Sequence, residues 1–258
     1  MILIKNQSLP FIGNDFSDCA LVLAAHGDRG GEAPNTKLLG YRDILEKIGV
    51  FRTVTAGVLK GEPTLEEAVT SALNTGASKI LIYPMFMADG YFTKTVLPQR
   101  LEALGSEQNF YILPPLGVDP RLPAFILDHA LSTAKQHQVN SQTTRLLVVG
   151  HGSQLGPASS QSTHAISNFI AQQKVFRTVE TAFLEEEVFL EDALLSTSSL
   201  TLVLGFFSGD GMHAADDVPK LISSTGAHAI YAGSIGSLPE LASFIVTAIK
   251  SHFSLASR

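Results

Sequence analysis

The chain has 258 residues, 45% of them apolar and 16% charged, with a formal charge of −6. This supplies core material for one large or two ordinary domains. The acidic balance argues against a nucleic-acid partner, because phosphate neutralisation needs clustered Lys and Arg. No apolar stretch approaches the roughly 18–20 residues of a membrane span, and the opening MILIKNQSLPFIGNDF lacks a basic-then-apolar leader, so no membrane partner and a cytoplasmic location are expected. Cys19 is the single cysteine; it can close no internal disulfide and is expected as a buried small apolar residue.

In chain order, Ala20 to Ala25 (ALVLAA) reads as a buried strand ending in His26-Gly27, followed by loop-like DRGGEAPN. Helical spacing covers Thr36 to Ile48, and Phe51 to Leu59 reads as a second strand. Pro63 is expected in the first turn of the next helix, with Glu66 and Glu67 at its positive end. Lys79 to Pro84 is a third strand, Val96 to Leu104 a helix, Phe110 to Leu113 a short fourth strand and Pro120 to Thr133 a fourth helix. Gln136 to Thr144 has linker composition. Leu146 to Ser153, LLVVGHGS, then repeats the pattern of an apolar strand stopping at Gly-His-Gly.

The repetition is general. FRTVTAGVLKGEPTLEEA, starting at Phe51, aligns without gaps on FRTVETAFLEEEVFLEDA, starting at Phe176, an offset of 125 that also relates His26 to His151. Asp89-Gly90 and Pro98 meet Asp210-Gly211 and Pro219 at an offset of 121, and Leu116-Gly117 meets Ile235-Gly236 at 119. A period this long means a duplicated domain. Each copy alternates strand and helix, so the expected fold is α/β: two similar lobes, residues 1–140 and 141–258, each a mainly parallel four-stranded sheet flanked by helices.

The copies differ at their strand ends. Copy two has His151, Glu185 and His213 after three successive strands; copy one has His26, Lys60 and Phe92 there. Ligands in parallel sheets bind at C-terminal strand ends, and two imidazoles with a carboxylate suit a first-row divalent metal while leaving open positions. Spacing alone favours three ordinary loop residues, and the repeat, which shows which positions are equivalent, raises the functional reading. Glu186 and Glu187 read as a solvated helix start, with Glu187, the match of Glu62, kept as the second-choice acid. Asp89 and Asp210 read as turn residues before glycine, and His129, His137, His164, His228 and His252 receive no chemical role.

LLVVGHGS, the FLEEE after FRTVETA, and FFSGDGMHAADDVP resemble the three signature regions of the sirohydrochlorin chelatase family, ATP-independent enzymes that insert cobalt or ferrous iron into a reduced tetrapyrrole. The resemblance spans nearly the whole chain twice and matches the fused two-lobe form of that family. It departs at Val188, where members commonly carry proline, at the small residues Ala214 and Ala215, and in copy one, which retains only His26 of the three site residues. By this resemblance His151 and His213 are the metal-binding and catalytic histidines, and Glu185 is their acidic partner. The implied partners are a tetrapyrrole and a divalent metal, both as substrates, with no permanently bound cofactor; no oligomeric state is implied. The implied setting is cobalamin or siroheme biosynthesis, the alternative being a noncatalytic tetrapyrrole or metal carrier of the same fold.

The residues suit this chemistry independently. Metallation removes two pyrrole N–H protons and strips water from a cation, and histidine is the usual base near neutrality. The sequence holds neither a GxxxxGK[ST] phosphate loop nor a GxGxxG helix opening, in keeping with a reaction without nucleotide. A polycarboxylate macrocycle also needs cations, for which His26, Arg29, Lys60 and Lys94 of copy one are candidates, although surface Lys and Arg are ordinarily just solvated.

Overall fold

A computed structural model describes residues 15–28, 35–105, 110–153, 156–209, 211 and 213–255. The strands are β1 (Cys19–Ala25), β2 (Thr53–Val58), β3 (Lys79–Pro84), β4 (Phe110–Ile112), β5 (Arg145–Gly150), β6 (Thr178–Phe183), β7 (Thr201–Gly205) and β8 (Ala229–Ser234). The helices are α1 (Thr36–Ile48), α2 (Leu65–Leu73), α3 (Leu97–Glu102), α4 (Leu122–Gln136), α5 (Ala158–Gln172), α6 (Leu190–Leu195), α7 (Val218–Thr225) and α8 (Leu241–Leu255). Two four-stranded sheets result, ordered β2-β1-β3-β4 and β6-β5-β7-β8, with every pairing parallel. The expected fold class is what forms.

Both sheets place their first strand inside, between the second and the third. The chain leaves that strand in one direction and later crosses it in the other, which makes the C-terminal end of β1, and equally of β5, a topological switch point. Burial explains the apolar runs: every residue from Leu146 to Val149 is fully buried, as are those from Ala20 to Ala24. On one face of the first sheet Ala20, Val22 and Ala24 pack with Leu65, Val69 and Ala72 of α2 and with Leu97 and Leu101 of α3. The equivalent face of the second gathers Leu147, Val149, Leu190, Leu194 and Val218. Each buried aliphatic side chain contributes about 2 kcal/mol.

The compact units do not divide at residue 140. One comprises residues 1–119 with 239–258, the other residues 120–238. Helix α4, the last helix of the first sequence repeat, buries Leu122, Ile126 and Ala130 in the second unit, where His129 Nε2 meets the Ala232 carbonyl at 2.8 Å. Helix α8 belongs with the first, where Phe253 packs edge-on against Phe16 at 5.4 Å. Each repeat thus ends in a helix that packs within the other compact unit.

Two local expectations are corrected. Helix α2 starts at Leu65, beyond Pro63, because Thr64 forms a capping box: its hydroxyl accepts from Glu67 N at 3.2 Å while its own N–H donates to Glu67 Oε2 at 2.9 Å. The helix expected from Val96 is preceded by a π-helical turn, Phe92–Val96, matched in the second unit by His213–Asp217. The Glu62–Pro63 and Glu187–Val188 peptide bonds, at equivalent places, are both cis. Among the described residues no helix is long and apolar enough to cross a membrane.

Candidate metal centre

In the second unit β5 delivers His151 to the sheet edge, and the loop after β6 folds back onto it. The His151 carbonyl accepts from Glu185 N at 3.0 Å, which draws the two strand ends together. The side chains follow: His151 Nδ1 lies 3.7 Å from Glu185 Oε2, with both groups about half exposed. His151 Nδ1 also meets the Gly152 carbonyl at 3.0 Å. A carbonyl only accepts, so a hydrogen bond at this contact requires the ring proton on Nδ1.

Gly152 makes this packing possible. Its φ is +78°, and a Cβ there would lie 2.7 Å from Glu186 Cβ. Glu186 itself is no helix-start residue, since α6 begins only at Leu190. Its Oε2 accepts from Ser153 N at 2.9 Å, tying the histidine loop to the glutamate loop. Sequence reading missed this role, because Glu186 and Ser153 lie 33 residues apart and no local pattern relates them.

His213 opens its π-helical turn, but its side chain lies outside the described part of the structure, as do Arg29 and Asp210 altogether. The turn is anchored from β8: Tyr231 Oη donates to the Ala214 carbonyl at 2.9 Å. Gly236 lets the loop after β7 come close, because a Cβ there would fall 1.9 Å from the Ser208 carbonyl carbon. Among the described residues no three His, Cys, Asp or Glu side chains gather to hold a metal. His151 and Glu185 are brought together; Glu187 is exposed beyond them.

The first unit shows the same frame with other side chains. His26 Nδ1 meets the Gly27 carbonyl at 3.2 Å, and Lys60 N donates to the His26 carbonyl at 2.9 Å. Phe92, the counterpart of His213, stands edge-on to the His26 ring with centroids 4.8 Å apart. Phe92 thus reaches the strand-end histidine of the first unit. Lys60 is exposed, and Lys94 pairs with Asp89 at 3.2 Å. Asp89 is the turn residue expected, also accepting from Thr93 Oγ1 at 2.9 Å.

Two doubly wound parallel units, one with an imidazole and a carboxylate paired at its switch point, have the framework of a metal chelatase. Residues 20–133 and 145–252 each match CbiX, and the chain belongs to the CbiX family. It is similar to the probable sirohydrochlorin cobaltochelatase of Halobacterium salinarum, 23% identical over 225 residues, or 78% of this chain and 75% of that protein. The sirohydrochlorin cobaltochelatase of Methanopyrus kandleri is 28% identical over 135 residues, 42% of this chain and 92% of its own. Among solved structures, CbiX, the terminal enzyme for biosynthesis of siroheme in denitrifying bacteria, matches with a TM-score of 0.74 at 28% identity, covering 90% of this chain and 98% of that one. SirB from Bacillus subtilis with Fe3+ shares the fold, with a TM-score of 0.77 at 16% identity over 93% of this chain and 97% of its own.

Proposed function

We propose that this protein inserts a divalent metal, cobalt or ferrous iron, into sirohydrochlorin or a closely related tetrapyrrole without ATP, as a step of cobalamin or siroheme biosynthesis. The observation that carries the reading is the His151–Glu185 pair at the C-terminal edge of the second sheet, inside a segment that matches CbiX in its own right. His151 and Glu185, with His213 from the neighbouring turn, take the incoming cation as substrate and replace part of its water. Neutral nitrogen and carboxylate oxygen hold a borderline metal without the grip of thiolates, so release into the macrocycle stays feasible. The two pyrrole protons leave as the metal enters; a histidine nitrogen accepts one of them and solvent takes the other.

His26, Arg29, Lys60 and Lys94 are the candidate cations for the macrocycle's carboxylates. Of these, Lys60 and Lys94 are exposed, and Lys94 must exchange Asp89 for substrate. Such an exchange is inexpensive because exposed ion pairs contribute little. Glu187 is the reserve acid, an exposed residue two positions after Glu185.

The test is visible absorption of sirohydrochlorin mixed with purified protein and Co²⁺ or Fe²⁺, in the absence of nucleotide. Conversion to the metallated spectrum faster than the uncatalysed reaction is the expected result. Macrocycle binding with no gain in insertion rate would assign the protein to the carrier class instead.

A further inference from the structure

The two units diverge where α3 meets α2 in the first and α7 meets α6 in the second. In the first unit Arg100 of α3 spans this junction. Its Nε donates to Glu66 Oε1 at 2.6 Å, its Nη2 to Glu66 Oε2, and its Nη1 to the Leu59 carbonyl at 2.6 Å. The repeat offsets place Glu191 at the position of Glu66, Leu184 at that of Leu59 and Leu221 at that of Arg100. The second unit keeps the carboxylate and the carbonyl but has lost the guanidinium. A pocket stands there, lined by Leu184, Phe189, Leu190, Glu191, Asp192 and Leu221. Among the described residues Glu191 pairs with no Lys, Arg or His.

The rim has changed in the same direction. Val188, Phe189 and Leu195 are 54%, 41% and 62% exposed, and their counterparts in the first unit are Pro63, Thr64 and Thr70. Thr64 builds a capping box, whereas Phe189 caps nothing. A lost cap, a lost bidentate pair and apolar side chains in water all work against the unit in isolation.

We propose that this face binds a partner polypeptide through one arginine, whose guanidinium takes the place that Arg100 fills in the first unit. Glu191 accepts two parallel N–H bonds and the Leu184 carbonyl a third, the same acceptor set that Arg100 uses. Phe189 and Leu221 cover the methylene stem, and Val188 and Leu195 form an apolar rim. An arginine anchor in an aromatic-edged pocket is the usual make-up of an interface hot spot. Lysine lacks the planar fork and fits the two acceptors poorly.

The test titrates the full chain with three capped tripeptides, Ac-Leu-Arg-Leu-NH₂ and its Lys and Gln versions, following the methyl resonances of Leu184, Leu190 and Leu221. The Arg peptide is expected to bind saturably with a Kd of about 1–10 mM, as suits a single charge-assisted anchor. The Lys peptide should bind at least about fivefold more weakly and the Gln peptide not measurably. Glu191→Gln should weaken Arg-peptide binding about tenfold, and Leu221→Arg should abolish it by filling the pocket. Metal insertion should be unchanged in Glu191→Gln, which separates this surface from the chelatase reading. Equal responses to the three peptides, no binding of the Arg peptide, or full binding in Leu221→Arg would overturn the proposal. Self-association that disappears in Leu221→Arg, without Arg-peptide binding, would give the face to a second copy of the chain and overturn it as well.

Discussion

Glu186 Oε2 accepts a hydrogen bond from Ser153 N at 2.9 Å, joining the loop that carries His151 to the loop that carries Glu185. At the equivalent position in the first unit, Asp28 N donates instead to Asn35 Oδ1, also at 2.9 Å. The same backbone N–H is satisfied in both units by unrelated side chains, so the requirement belongs to the turn and the solution to each sequence. Glu186 acts on His151 and Glu185 as a positioning residue. Glu186→Ala is expected to lower metal insertion about tenfold with the fold intact, the size of effect seen when an outer-shell partner is removed. Glu186→Gln retains an acceptor oxygen and should recover most of that loss. Equal defects in the two variants would show that the charge, rather than the hydrogen bond, matters.

Tyr231 anchors the turn that begins at His213 through its bond to the Ala214 carbonyl. Tyr231→Phe keeps the ring and deletes one hydrogen bond, a change of about 1 kcal/mol. The expected result is a rise of a few-fold in the KM for metal, with thermal stability within a few degrees of the parent. An unchanged KM would mean that the turn holds its place without the hydroxyl.

The chelatase reading assigns the reaction to the second unit. His151→Ala and His213→Ala are each expected to reduce insertion by about 100-fold or more, as loss of a general base and ligand does. His26→Ala, whose ring packs against Phe92 and has no imidazole opposite it, should cost less than about tenfold. The assay is single-turnover metallation with circular dichroism as the check on folding. A larger loss from His26→Ala than from His151→Ala would reverse the assignment of the units. Acidification that protonates the imidazoles should reduce insertion in the parent, because a protonated ring can neither ligate a metal nor take a proton.

Cys19 is fully buried at the start of β1, and burial pushes its thiol up to about 11. A raised thiol value means that the fold favours the neutral form. That contribution is fully present below the unfolded thiol's value and is lost progressively as pH rises from there through about 11. Labelling with a disulfide reagent at pH 8 should therefore wait on opening of the sheet and run at less than about 1% of the rate in denaturant. Labelling at the denatured rate would place Cys19 at an accessible position.

The repeat, the strands and the candidacy of His151, Glu185 and His213 are legible in the chain itself, because each rests on local composition and constant offset. A strand buried on both faces must be continuously apolar, and a duplicated chain reveals which positions are equivalent by constant offset. Pro63 misled about the start of α2 by one turn position, since Thr64 has the stronger claim as a cap. That β1 and β5 lie inside their sheets, which sets the strand-end histidines at switch points, follows from strand pairing in three dimensions. The exchange of α4 and α8 between units is also a matter of tertiary packing: periodicity reports that a helix has an apolar face but carries no information about which of two related units it packs in. Glu186 meeting Ser153 and Tyr231 meeting Ala214 are likewise contacts between segments apart in the chain. Such contacts are settled by packing geometry, after local preferences have already been satisfied.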